Sequence, residues 1–103
     1  MSAIININYQ SEINLKNLHG IEMETQTQTD IEAAVFRRLI SHLDARKDVQ
    51  NIDLMNLSGF CRNCLAKWYS AEAQDRGEVI SVDSAKEIVY GMTYDEWKQN
   101  FQK

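Results

Sequence analysis

Across 103 residues this chain contains no proline and only four glycines, Gly20, Gly59, Gly77 and Gly91. Proline removes a backbone donor and clashes inside a helix, and glycine costs about 1 kcal/mol there relative to alanine. A sequence nearly free of both is suited to helix. The predicted fold is all-α, a compact bundle of four to five helices in a single domain, with the glycines as punctuation between segments.

Length and charge narrow the class further. A chain of this size buries roughly two thirds of its unfolded surface, so its two cysteines are not needed as a disulfide framework. The net charge of -4 opposes a dominant phosphate-binding role, and no nucleic acid is expected as a partner. No segment approaches the roughly 18 apolar residues of a membrane span, and the N-terminus lacks a basic stretch followed by a long apolar one. No membrane association is expected, and the expected location is the cytoplasm, where thiols stay reduced.

Residues 1–22 differ from the rest. Ile and Asn supply nine of them, without a sustained apolar period. Ile4, Ile5 and Ile7 could make a short strand, but a strand without a partner is marginal in water. The stretch reads as a loose N-terminal extension, with Met23 competing with Met1 as the native start, and the helical domain is expected over 23–103.

From Thr29 the signals sharpen. Thr29 with Glu32 resembles a capping box, and Ile31, Val35, Leu39 and Leu43 recur on one face of a helix expected to run to about Arg46. Lys47 to Asn51 reads as a connection, with Asn51 or Asp53 as the next N-cap. Leu54, Leu57, Cys61, Cys64, Trp68 and Ala71 then fall in steps of three and four, the spacing of a buried stripe. Ser58-Gly59 interrupts it, either as a bend or as a stop with a restart capped by Ser58. That helix should end near Arg76 with Gly77 beyond it. Ser81 can cap a further helix stopped by Gly91, and Thr93 with Glu96 repeats the capping-box pattern ahead of a last helix carrying Tyr94, Trp97 and Phe101 on one side.

The words QNIDLMNLSGFCRNCLAKWY and EIVYGMTYDEW, within a stretch from about Thr25 to Lys98, resemble a small bacterial family known only as a domain of unknown function. The resemblance implies a compact all-helical bundle and carries no activity, cofactor or catalytic residue. Two departures stand out: the segment before Met23 has no counterpart, and Thr93 stands where many relatives are expected to have proline. Either residue starts a helix well.

Special chemistry is most expected at Cys61-Arg62-Asn63-Cys64, for which three readings stay open. In the first, the pair is redox-active. A helix beginning at Ser58 would put Cys61 at its third position, among unpaired amides, with Arg62 as an electrostatic modifier. Two points oppose this: no strand precedes the helix as in thioredoxin-like sites, and a disulfide within a helical turn is strained, its Cβ atoms lying roughly 5 to 6 Å apart against about 3.8 Å preferred. In the second, the pair is half of a metal site for zinc or another thiophilic metal. Structural zinc needs four donors, which His42 and Asp53, or a second copy of the chain, would complete; His19 lies in the extension. No other cofactor is expected. In the third, both cysteines are core residues, free Cys being among the most buried types.

Asp53 and Asn56 are candidate catalytic or ligand groups, but a helix start explains at least Asp53, and the core stripe explains Trp68 better than a base-stacking platform with Lys67 and Tyr69 does. Tyr94, Trp97 and Phe101 are expected to pack the last helix onto the bundle; exposed, they would form a face for a protein partner or a homo-oligomer. No phosphate loop, nucleophile elbow, His-rich metal helix or catalytic carboxylate pair occurs. The reading is a non-enzymatic interaction or regulatory module, with a metal-binding or redox-sensing site at Cys61 and Cys64 as the alternative.

Overall fold

In a computed structural model of the chain, residues 23–103 are described. The described residues form five helices: α1 (Thr25–Asp44), α2 (Asn51–Ser58), α3 (Arg62–Asp75), α4 (Val82–Tyr90) and α5 (Tyr94–Phe101). The expected all-α class is what the chain adopts. No helix among the described residues is long and apolar enough to cross a membrane. The expectations for residues 1–22 lie outside the described residues. The chain falls into two units, 1–37 and 38–103.

In the first unit, α1 begins at Thr25, one turn before the expected start. Thr29 is therefore interior, and Glu32 accepts a hydrogen bond from the Gln28 side chain instead of closing a capping box (3.0 Å). Gln26 donates in the same way to Asp30 (2.8 Å). Such pairs four residues apart bond along a helix face and support its first turns. Ile31 and Val35, expected in the core, are 48% and 61% exposed. Periodicity identifies an apolar face but not whether the same chain covers it.

In the second unit, the core consists of Leu43 from the end of α1 together with Cys61, Leu65, Ala66, Ala85, Val89, Tyr90 and Trp97, all buried, plus one buried charged residue, Arg62. α3 packs on α4, and α4 on α5. Ala66 and Ala85 have no exposed surface, and their small side chains suit the close approach of α3 and α4. Helix starts follow local capping chemistry: Ser81 Oγ accepts from the Ser84 N–H (3.0 Å), and Thr93 Oγ1 from the Glu96 N–H (3.1 Å) while Glu96 accepts from the Thr93 N–H (3.1 Å). Gly91 closes α4 in the left-handed conformation (φ 72°), its N–H donating to Glu87 O.

The start of α2 differs from expectation. Gln50 is the N-cap, and Asp53, at the third helical position, accepts from the Gln50 N–H (3.3 Å). The Gln50 side chain also donates to Phe101 O (2.9 Å) and accepts from the Lys103 N–H (2.9 Å), tying the end of α5 to the start of α2.

Candidate functional site

Between α2 and α3 the chain makes the turn that places both cysteines. α2 ends at Ser58, and Gly59, at φ 80°, donates its N–H to Met55 O. A left-handed position of this kind costs about 1 to 2 kcal/mol for a residue with a Cβ, so the stop at Gly59 is written into the backbone. After Phe60, Cys61 is extended (φ -145°, ψ -176°) and forms the N-cap of α3, which starts at Arg62 rather than near Ser58. Cys61 is thus not at the third helical position; Cys64 is. With Cys61 outside the helix, the strain expected of a disulfide inside a helical turn does not apply. The two sulfurs lie 4.0 Å apart, both as free thiols, and Cys64 Sγ lies 3.9 Å from Met55 Sδ. Cys61 is buried, Cys64 half-buried, and Met55 42% exposed.

Arg62, expected to modify the thiols, directs its guanidinium elsewhere. Its Nη1 donates to Val49 O (2.8 Å) and Asn51 Oδ1 (3.1 Å), and its Nη2 to Arg46 O (3.0 Å) and Leu43 O (3.4 Å). The guanidinium also sits 5.0 Å from the centre of the Trp97 ring. Its planar fork satisfies carbonyls that the end of α1 and the following loop leave without helical partners. Burial pulls its pKa below the ordinary value, partly offset by Tyr90 and Cys61.

Beside Arg62 runs a polar chain that the sequence did not reveal. Asn51 donates to Tyr90 Oη (3.0 Å), Tyr90 donates to Asn63 Oδ1 (2.6 Å), and Asn63 donates to Tyr94 Oη (3.3 Å). Burial pushes the Tyr90 phenol well above its ordinary value, which keeps it a neutral donor. The partners are 27 to 39 residues apart, and no motif links them.

The remaining predicted residues scatter. Asp53 serves the α2 start, and His42 is exposed near the end of α1. No group of three or more His, Cys, Asp or Glu side chains comes together among the described residues, so His42 and Asp53 do not join Cys61 and Cys64 as a four-donor zinc set. Trp97 is 1% exposed, its ring between Tyr90 (5.1 Å) and Phe101 (6.2 Å), which makes it core rather than a partner-binding face. Tyr94 is half-buried, with Lys86 and Lys98 Nζ at 4.2 and 4.6 Å from its ring centre, and Phe101 is half-buried with Lys47 Nζ at 5.5 Å.

An exposed apolar face lies instead on α2 and α3. Ile52 (63% exposed) and Met55 share a face of α2, Met55 touches Cys64, Trp68 (55% exposed) follows Cys64 by one turn, and Phe60 stacks on Trp68 with ring centres 6.2 Å apart. One helical period extended through residues 54–71 places Trp68 in the core. The restart at Cys61 resets that phase, so α3 buries Arg62, Leu65 and Ala66 and turns Trp68 outward.

The model of the family described as protein of unknown function (DUF1244) matches residues 49–103, from the loop before α2 to the end of the chain, and the chain belongs to this family. No curated protein matches it.

Proposed function

We propose that this member of the DUF1244 family is a non-enzymatic module that binds a short apolar segment of another protein on the face formed by Ile52, Met55, Phe60, Cys64 and Trp68. The observation that carries this reading is the exposure of Trp68 and Ile52, at 55% and 63%, on a face continuous through the Met55–Cys64 and Phe60–Trp68 contacts. Aromatic residues and Met are enriched at protein interfaces, and Trp is the commonest anchor. The face is small. A stable dimer uses roughly 20 to 30 residues a side, so these five suit one face of a partner helix or an extended peptide better than a second copy of the chain. The polar side chains inside the second unit bond to one another and to backbone, which supports a structural rather than a catalytic role for them. The module's expected compartment is the cytoplasm, where thiols such as those of Cys61 and Cys64 stay reduced.

Site-specific photo-crosslinking tests the reading. A photoreactive phenylalanine analogue at position 68 should trap an apolar segment of a different protein in cells, and the same analogue at exposed Glu78 should not. Crosslinks only to further copies of the chain, or equal yields at both positions, would refute it.

A further inference from the structure

The geometry points to a binding site for Cu(I) formed by three sulfurs, Sγ of Cys61, Sγ of Cys64 and Sδ of Met55. Thiolate and thioether donors are soft and select Cu(I) over the harder divalent ions. An ion held in a plane by three sulfurs at about 2.3 Å, the usual length of a metal–thiolate bond, places its donors about 4.0 Å apart. The Cys61–Cys64 and Cys64–Met55 separations are 4.0 and 3.9 Å. Met55, unbranched and partly exposed, has the rotational freedom to complete the triangle.

The site is built by the turn already described: Gly59 ends α2 one turn after Met55, and the extended Cys61 turns the chain into α3 so that Cys64 faces back. Exposure of Met55 provides an entry path, while Cys61 anchors the site on its buried side. On binding, each thiol releases its proton to solvent, and no electron is transferred. Two thiolates, one neutral thioether and Cu(I) leave one net negative charge on the site. The inference does not rest on the interaction surface, although Met55 and Cys64 belong to both.

The test is an anaerobic titration of the reduced full chain with Cu(I) in competition with bicinchoninate, followed by X-ray absorption at the copper edge. One Cu(I) per chain with three sulfur donors is expected. Cys64→Ser should weaken binding by about 100-fold or more, and Met55→Leu by about tenfold, the scale on which metal sites respond to altered ligand environments. Trp68→Ala should leave copper affinity unchanged while removing partner binding, which separates the two proposals. Circular dichroism checks that each variant is folded; Met55, the most exposed of the three ligands, gives the decisive one. Copper lost entirely to the chelator, or equal affinity of Met55→Leu and wild type, would overturn the assignment.

Discussion

The guanidinium of Arg62 lies 5.0 Å from the centre of the Trp97 ring while donating to the backbone carbonyls of Leu43, Arg46 and Val49. One buried side chain thus joins the end of α1, the loop before α2 and the aromatic core at α5. Arg62→Ala would remove the guanidinium's bonds to those carbonyls and open a cavity beside Trp97, so a loss of about 3 to 5 kcal/mol is expected in urea unfolding. Arg62→Lys keeps the charge but not the fork, and should still lose about 2 kcal/mol. Wild-type stability of either variant would contradict this role.

Tyr90 makes stability depend on alkaline pH. Its folded phenol titrates above the ordinary value of 10.0, so above that pH the unfolded chain gives up a proton that the folded chain retains. Stability then falls as pH rises, by about 1.4 kcal/mol per unit until the folded phenol itself ionises. Tyr90→Phe should flatten this slope and cost about 1 to 3 kcal/mol at neutral pH, because Asn51 and Asn63 lose a buried partner. Parallel slopes for wild type and variant above pH 10 would refute the assignment.

Gly59→Ala isolates the turn that places the cysteines. A Cβ there meets nothing within 4 Å, yet the φ of +80° remains unfavourable. A loss of about 1 kcal/mol from backbone strain alone is expected in thermal unfolding. No loss would indicate that the turn tolerates another conformation.

The two cysteines should respond differently to the same substitutions, because Cys61 is buried and Cys64 half-buried. Cys61→Ala should cost about 1 kcal/mol, and Cys61→Ser about 1 to 3 kcal/mol more, for an unpartnered buried hydroxyl. At Cys64, alanine and serine should be nearly equal in metal-free protein. The order of the melting temperatures decides this.

Short-range chemistry was the legible part of this fold. Ser81, Thr93 with Glu96, and Gly91 act within one turn, and each lies where its residue type predicted it. Periodicity failed where it was carried across a break. The stripe from Leu54 to Ala71 assumed one phase, whereas the turn at Gly59 and Phe60 starts a second helix whose buried face is Arg62, Leu65 and Ala66. Thr29 misled for a related reason: the pattern Thr-x-x-Glu occurs in helix interiors too, and there Gln28 bonds Glu32. At the candidate site, Cys61 and Cys64 are adjacent through their spacing, but Met55 reaches Cys64 only through the turn. The Tyr90–Asn63 bond joins α4 to α3 by tertiary packing, which no local pattern encodes.

Trp68 and Trp97 provide the most direct test of the account, since one is 55% exposed and the other 1%. The measurement is the affinity of Trp68→Ala for the segment trapped by crosslinking, alongside its melting temperature. The predicted result is a loss of about 2 kcal/mol or more in binding, roughly 30-fold, with an unchanged melting temperature. Undiminished binding, or a fall in stability like the about 3 to 5 kcal/mol expected for Trp97→Ala, would contradict the assignment of this face to a partner.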